Sequence, residues 1–258
     1  NPDELNKDEA ADIGLVGDTA LTIQALIACI KAKTGSKGCG DRAKAEAAVA
    51  ASKAKWMEQW SPVLAADEEP ISYYRVIRAL NETLDLENSI VTHDAGAPRD
   101  TIVPFYTATT PHSYIGWGKT THLGFGIPLI IGAKMAHPEK FCMNLMGDGA
   151  FGMSGTDIET AARSGAAITT VLLNNSAMAT YSGPTQGTIG AEAREHYGVS
   201  TMHGDYAKIA EGMGAVGIKV SKAAELEPAL KEAQRLNANG RTVLIDVAAN
   251  VEDRRSRF

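Results

Sequence analysis

The sequence lacks the features that would place the protein in a membrane, in a disulfide-stabilised class or on nucleic acid. No stretch reaches the roughly 18 to 20 uninterrupted apolar residues that a membrane helix needs. The three cysteines, Cys29, Cys39 and Cys142, are scattered and form no CxxC pair, which argues against a disulfide framework or zinc site and predicts a reducing, cytoplasmic environment. The formal net charge is −6, so the charge balance gives no basis for a general affinity for nucleic acid.

Internal repeats, low-complexity tracts and the apolar core of a signal peptide are also absent. What is present is an ordinary globular composition, 44% apolar and 22% charged over 258 residues, which excludes a disordered chain, a coiled coil and a collagen-like fibre. The first residue is Asn1 rather than Met, so we expect a processed or truncated piece of a longer protein.

Two helices are predicted near the start of the chain, after a short apolar run at Asp12–Gly17 that is typical of a strand. Apolar residues at helical spacing predict the first helix over Thr19–Lys33, and an alanine- and lysine-rich segment predicts the second over Arg42–Trp60. Trp56 and Trp60 lie one helical turn apart, and packing is the favoured interpretation of this pair over a binding surface.

From Ser72 onward, short apolar strands alternate with helical segments. This alternation is typical of βαβ units and predicts an α/β fold, a parallel sheet with helices on both faces. The predicted strands are Ser89–His93, Phe141–Met146, Ile168–Leu173, Val216–Val220 and Thr242–Val247. The predicted helices are Ser72–Leu84, His122–Ala136, Met153–Ser164, Tyr206–Met213 and Ala223–Leu236.

A glycine turn follows the second of these strands. The run Gly147–Gly152 reads GDGAFG and satisfies the GxGxxG pattern of dinucleotide sites. A nicotinamide-dependent oxidoreductase would also need an acid at the end of the next strand, where the sequence has Asn174 and Asn175. A second glycine motif at Gly118 resembles the end of a phosphate-binding loop, but Ser113 stands where that loop requires another glycine.

Asp148 points to a different chemistry, because its carboxylate would repel a bare diphosphate. A divalent cation between the two groups removes this conflict, and Mg²⁺ prefers oxygen ligands from carboxylates, amides, phosphates and water. Asp148 and Asn175 follow neighbouring predicted strands, so their oxygens should meet at one edge of a parallel sheet, where the next helix N-terminus favours an anion. The sequence therefore predicts a Mg²⁺–diphosphate site there.

The run GDGAFGMSGTDIETAARSGAAITTVLLNN, in which Asn175 stands 27 positions after Asp148, resembles the thiamine diphosphate motif of the acetolactate synthase-like, or decarboxylase, superfamily. The segments HLGFGIPLIIGAKMAHPEKF, DYAKIAEGMGAVGIKV and GRTVLIDV are similar to the same cofactor-binding domain. This resemblance implies a thiamine diphosphate-binding domain at 71–258, a linker and helix at 41–70, and the tail of a central domain at 1–40.

The resemblance also implies roles for individual residues. Asp148, Asn175 and the backbone oxygen of Ala177 would bind Mg²⁺. The cofactor itself would contact further residues of the same motifs, with Leu123 as the apolar wedge that bends it and the Thr121 carbonyl as the acceptor for its aminopyrimidine. The other positions implied to line the diphosphate are Gly96, Gly147, Gly149, Ala150 and Met178.

In this superfamily a glutamate of a separate pyrimidine-binding domain starts the proton relay, and the chain does not contain that domain. The resemblance thus implies a second polypeptide that carries this glutamate. It also implies a small carbonyl substrate and assembly into a dimer or tetramer. His122, beside the wedge, is the candidate catalytic residue, and His93, placed in the loop after the first strand, is a weaker one. Tyr181 and the loop Ser182–Gly190 are predicted to form a lid.

The sequence departs from acetolactate synthases at specific positions. Gly96 to Arg99 reads GAPR where they have Gly-Gln-His-Gln, Pro184 stands where they have a substrate-selecting tryptophan, and the FAD-binding central domain is almost entirely absent. The hypothesis is therefore a thiamine diphosphate- and Mg²⁺-dependent lyase or carboligase acting next to a carbonyl. A non-catalytic cofactor-binding module and, less favoured, an NAD(P)-dependent oxidoreductase remain the alternatives.

Overall fold

The computed structural model describes residues 2–35, 40–116, 118, 122–177, 196, 198, 201–254 and 256. By their internal contacts the residues form two compact units, Asn1–Glu58 and Gln59–Phe258. The division at 40 and 70 that the resemblance implies remains a prediction about the domains of a longer protein.

The first unit contains a short 3₁₀ turn at Pro2–Glu4, helix α1 (Thr19–Thr34) and most of helix α2 (Arg42–Ala65). The Asp18 side chain caps α1 by accepting a hydrogen bond of 2.9 Å from the Leu21 N–H. Residues 12–17 adopt no strand, so the strand predicted there is wrong. None of the described residues of this unit up to Glu58 is buried, and α1 exposes its apolar side chains.

The second unit contains the sheet. Its strands are β1 (Ser89–His93), β2 (Tyr114–Ile115), β3 (Phe141–Gly147), β4 (Thr169–Asn174), β5 (Val216–Val220) and β6 (Val243–Ala248). Its helices are α3 (Tyr73–Thr83), α4 (Ala97–Ile102), α5 (Gly126–Ala136), α6 (Asp148–Ser154), α7 (Asp157–Ser164), α8 (Tyr206–Gly212) and α9 (Leu226–Ala238), and a 3₁₀ turn at Ala223–Glu225 precedes α9.

The six strands lie in the order β2-β1-β3-β4-β6-β5, and every adjacent pair is parallel. The strands β1, β3 and β4 are short and buried on both faces, as expected for a parallel sheet covered by helices, whereas the edge strands β2 and β5 are mostly only partly buried. The predicted α/β class and parallel sheet are therefore confirmed, and five of the six strands coincide with predicted ones to within one residue at each end.

Alternation along the strands divides the core between the two faces of the sheet. On one face, Cys142, Met146 and Ile168 belong to a buried apolar cluster that includes residues of α5, α7 and α8. The other face is covered by α3 and α9, which pack together, and there the Thr169 hydroxyl donates a hydrogen bond of 2.8 Å to Oδ1 of Asn237 on α9. Helices thus cover both faces of the sheet, so a binding site is expected at the carboxyl ends of its strands.

Four predicted helices differ from the structure by more than one residue at an end. The helix predicted over 42–60 continues to Ala65, and the one predicted over 223–236 runs from Leu226 to Ala238. The helix predicted over 122–136 begins only at Gly126, because the preceding backbone is held as a loop by the Asp94 side chain. The helix predicted over 153–164 is two helices, α6 and α7, with a turn at Gly155. A Cβ at Gly155 would lie 2.5 Å from the Phe151 ring, so this turn requires glycine.

Candidate functional site

The strand order reverses next to β1. After β1 the chain forms β2 on one side and then crosses to β3 on the other side. In open α/β sheets, ligands bind outside the carboxyl ends of the strands at such a switch point. Asp94 directly follows β1 and Asp148 directly follows β3, so two carboxylates stand at this place.

Asp148 is the first residue of α6, and it is only 2% exposed. Its Oδ1 accepts a hydrogen bond of 2.8 Å from the Gly149 N–H. Burial raises the pKa of the Asp148 carboxyl, and the nearby peptide N–H groups of Gly149, Ser176 and Ala177 offset part of this rise. Those N–H groups also show that the chain just after β4 approaches the carboxylate.

Asn175 directly follows β4, the strand that pairs with β3. Its Oδ1 accepts a hydrogen bond of 3.0 Å from the Ala177 N–H, and its Nδ2 donates one of 2.7 Å to the Tyr73 hydroxyl. Ser176, between Asn175 and Ala177, has a positive φ of 55°, in the left-handed region that few residues other than glycine adopt. The predicted ligands Asp148 and Asn175 therefore follow paired strands at one edge of the sheet.

The chemistry of this edge suits a divalent cation. The Oδ2 atom of Asp148 is buried and has no hydrogen-bond partner among the described residues, and a buried carboxylate oxygen is costly unless an opposite charge meets it. Carboxylate, amide and peptide oxygens are the donors that Mg²⁺ takes. Within the described ranges, no group of three or more His, Cys, Asp and Glu side chains could hold a metal ion, so a cation here would also rely on amide and peptide oxygens.

The residues predicted to contact the cofactor lie in several places around this edge. Gly96 is half-buried before α4 with a φ of 80°, a conformation that favours glycine. Leu123 is half-buried and packs against the apolar cluster, while the neighbouring His122 is exposed. The turn residues Gly147, Gly149 and Ala150 run from the end of β3 into α6.

Several predictions fall outside the described residues and stay predictions: those on Thr121, Met178, Tyr181 and the loop Ser182–Gly190. The site assignments as a whole, including the catalytic role of His122, also stay predictions.

The placement of His93 in a loop is wrong. It is the last residue of β1, 5% exposed, with its Nδ1 3.1 Å from the Asp94 carbonyl oxygen. Burial lowers the pKa of His93, and the Arg99 charge lowers it further, against the opposing effects of Asp94 and Asp100. Its position fits a neutral, structural histidine.

Asp94 was missed by the sequence analysis. It is fully buried, and its carboxylate accepts hydrogen bonds from the N–H groups of Ala95 at 2.8 Å, Gly124 at 3.0 Å and Gly126 at 2.8 Å. It thereby fixes the backbone on both sides of Phe125 and directly after Leu123, and it places a negative charge at the start of α5. The argument used for Asp148, an acid directly after a buried strand, could have found it.

Tyr73 was also missed. It begins α3, is 2% exposed, and accepts the hydrogen bond from Asn175. Burial strongly raises the pKa of its hydroxyl, and the nearby charges of Asp148 and Glu252 add to the rise. No sequence signal marks it, because its partner Asn175 is 102 positions away.

No helix among the described residues has the length and apolar character to cross a membrane. The model of the family described as "Thiamine pyrophosphate enzyme, C-terminal TPP binding domain" matches residues 94–247, which begin at Asp94 and include Asp148 and Asn175. Thiamine pyrophosphate is the same compound as thiamine diphosphate.

Curated relatives agree with this match. A probable acetolactate synthase large subunit of Methanocaldococcus jannaschii is 26% identical over 90% of this chain and 39% of its own length. The putative thiamine pyrophosphate-containing protein YdaP of Bacillus subtilis is 29% identical over 96% of this chain and 40% of its own length. A sulfoacetaldehyde acetyltransferase of Rhodobacter capsulatus is 27% identical over 98% of this chain and 44% of its own length. The chain thus spans about two-fifths of the length of these relatives.

The family match agrees with the α/β fold and with the acid and the amide that lie at the carboxyl ends of paired strands. The chain belongs to the thiamine pyrophosphate enzyme family and contains its C-terminal TPP-binding domain.

Proposed function

We propose that this chain binds the diphosphate of thiamine diphosphate through Mg²⁺, as part of an enzyme that cleaves or forms carbon–carbon bonds next to a carbonyl. The observation that carries the proposal is the buried Asp148 carboxylate, whose Oδ2 has no hydrogen-bond partner among the described residues. Asp148 directly follows β3, which pairs with β4, the strand that Asn175 follows. The names of the acetolactate synthase and acetyltransferase relatives support the reaction class.

In this proposal Asp148, Asn175 and the Ala177 carbonyl hold the cation. The glycines of the turn let the backbone approach the diphosphate, and the α6 N-terminus adds a favourable dipole. Thiamine diphosphate, when bound, supplies a carbanion that adds to a carbonyl and stabilises the resulting negative charge. Leu123 would contact the rings of the cofactor from the apolar side, and the loop that carries it is fixed by Asp94.

The remaining contacts are proposed from the family resemblance. Gly96 and Met178 line the diphosphate, the Thr121 carbonyl accepts from the aminopyrimidine, and His122 acts on the substrate. His122 is exposed, which leaves its imidazole accessible to a small carbonyl substrate.

A second polypeptide, or another part of a longer protein, would supply the pyrimidine-binding domain and its glutamate. The chain spans about two-fifths of its relatives, which supports this. We also propose a dimer or tetramer, because a site between two domains needs both of them. Cys29 and Cys142 are free thiols, which fits the cytoplasm as the compartment.

Substitution of Asp148 tests the proposal. Thiamine diphosphate uptake by the full chain, with any polypeptide that copurifies, is measured by native mass spectrometry with and without Mg²⁺. We expect Mg²⁺-dependent uptake by the wild-type chain and by the control Asp157→Ala, an acid on the following helix α7, and no uptake by Asp148→Ala. Tight cofactor binding by Asp148→Ala would show that the site is wrongly assigned.

Turnover separates the enzyme from a non-catalytic module. The holoprotein, complete with its pyrimidine-binding domain, is incubated with small 2-oxo acids, and carbon dioxide release is followed. Release that depends on both the cofactor and Mg²⁺ supports the enzyme. Uptake of the cofactor without release of carbon dioxide from any of a panel of 2-oxo acids favours the module.

A further inference from the structure

Among the described residues, Tyr73 is the one whose side chain forms a hydrogen bond with the side chain of Asn175. The Asn175 Nδ2 atom donates a hydrogen bond of 2.7 Å to the Tyr73 hydroxyl oxygen, and Tyr73 is buried to 2% exposure. Asp148 is close enough to Tyr73 for its charge to act on the phenol. Tyr73 therefore contacts the side chain of Asn175, one of the two that are proposed to bind the cation, and lies within electrostatic range of the other.

The orientation of the Asn175 amide depends on two partners. The Ala177 N–H can only donate, and it points at Oδ1 from 3.0 Å. The other end of the amide must then be Nδ2, which needs an acceptor, and the Tyr73 hydroxyl oxygen is that acceptor. With both ends occupied, the amide cannot rotate to present its NH₂ group to a cation.

The Tyr73 side chain is itself held in place by the chain around it. Ser72 caps α3 by accepting from the Tyr74 N–H at 3.2 Å, and its hydroxyl donates to Oε2 of Glu252 at 3.0 Å. Ile71 forms a parallel bridge with Ala249, just beyond β6. The backbone before α3 is thus anchored to the sheet next to β4, and Tyr73 has little freedom to move away from Asn175.

We propose that Tyr73 is a positioning residue, which acts through Asn175 and keeps the amide oxygen turned towards the proposed Mg²⁺. This inference rests on the proposed function and adds a residue from outside the glycine turn to it. Partners that orient metal ligands commonly change metal affinity by about 10- to 100-fold when they are removed. Tyr73 would have such an effect without touching the cation.

The test replaces Tyr73 by Phe in the full chain, which removes only the hydroxyl. Mn²⁺ takes the place of Mg²⁺, and its binding in the presence of thiamine diphosphate is measured by electron paramagnetic resonance. We expect Tyr73→Phe to weaken Mn²⁺ binding by about 10-fold. The matched control is Tyr106→Phe, which removes a buried hydroxyl with no hydrogen-bond partner among the described residues, and it should bind Mn²⁺ as the wild type does.

Two further measurements separate positioning from damage to the fold. Cofactor uptake by Tyr73→Phe should recover when Mg²⁺ is raised about 10-fold, because the loss is in cation affinity; a misfolded site would not recover. A variant that stays empty at high Mg²⁺ would therefore overturn the inference. Because Tyr73→Phe leaves the Asn175 NH₂ group unpaired, we expect cooperative thermal unfolding with a midpoint a few degrees below that of Tyr106→Phe.

Asn175→Ala distinguishes failure of this inference from failure of the proposed function. If Asn175→Ala loses Mn²⁺ and Tyr73→Phe binds it with wild-type affinity, the cation site stands and Tyr73 has no positioning role. If both variants bind Mn²⁺ and cofactor as the wild type does, the proposed site itself is wrong.

Discussion

Thr169 on β4 and Asn237 on α9, 68 positions apart in the chain, are joined inside the protein by a hydrogen bond of 2.8 Å. The Asn237 amide also donates to the carbonyl oxygens of Ile168 at 3.1 Å and Arg241 at 2.7 Å. One buried side chain thus connects the end of a helix to the start of β4 and to the segment before β6. The next residue, Thr170, is equally buried, but its hydroxyl has no partner among the described residues.

Thr169 and Thr170 give contrasting predictions for the free energy of unfolding. Thr169→Val should lower the free energy of unfolding by about 1 to 2 kcal/mol, because it leaves the Asn237 oxygen unsatisfied. Thr170→Val should leave it unchanged or raise it by up to about 1 kcal/mol, because an unpaired buried hydroxyl becomes a methyl group. Urea unfolding of the two variants checks both values. Equal losses in the two variants would contradict the prediction.

Asp94 should control the loop that carries Leu123. Asp94→Asn replaces one acceptor oxygen by an NH₂ group, which faces a backbone N–H and cannot accept from it. We expect hydrogen exchange at Gly124 and Gly126 to become at least about 10-fold faster, through local opening, and cofactor affinity to fall. Asp100→Asn, at an acid exposed on the surface beside Arg99, is the control. Unchanged exchange at both glycines would argue against this role of Asp94.

His93 should make the protein less stable in mild acid. Burial holds its folded-state pKa below the ordinary value of 6.5, so below pH 6.5 the unfolded chain takes up a proton that the folded chain does not. The stabilisation is therefore complete above pH 6.5 and is lost as the pH falls towards the folded-state pKa.

The effect of His93 on the free energy of unfolding is at most about 1.4 kcal/mol per pH unit. His93→Gln should flatten this slope between pH 6.5 and 5.5, measured by urea unfolding at several pH values. His203→Gln, at an exposed histidine, is the control for the loss of an imidazole that is not buried. A slope that is the same in all three proteins would refute the assignment to His93.

Arg254 should stabilise the second unit through two carboxylates. It donates to both oxygens of Glu68, at 2.6 and 2.8 Å, and to both of Glu252, at 2.6 and 2.7 Å. The Glu252 side chain is 1% exposed. Arg254→Met would leave that carboxylate buried without a cation, and we expect a loss of about 2 to 3 kcal/mol in the free energy of unfolding.

A double-mutant cycle checks this interpretation. Glu252→Gln removes the buried charge, so the double variant with Arg254→Met should recover part of the stability that Arg254→Met loses. Purely additive losses would show that Arg254 contributes by packing alone.

The sequence predicted the parts of the site that depend on neighbouring segments. Asp148 and Asn175 each directly follow a strand of one βαβ unit, so apolar runs and glycines were enough to place them at one edge. The two-residue strand β2 was missed because it is too short to show a period. Tyr73 was missed because its partner Asn175 is 102 positions away and is reached only after the sheet has formed. Asp94 was overlooked although it carries the same signal as Asp148, an acid directly after a buried strand.

The distances along the chain have a consequence for biosynthesis. The two proposed cation ligands lie within one βαβ unit, so that unit can form once Asn175 has left the ribosome. The support behind Tyr73 is completed much later, because Glu252 is 180 positions beyond its partner Ser72. A nascent chain that stops between these points would contain both proposed ligands but lack the Glu252 and Ala249 contacts behind Tyr73, so we expect its cation site to be incomplete.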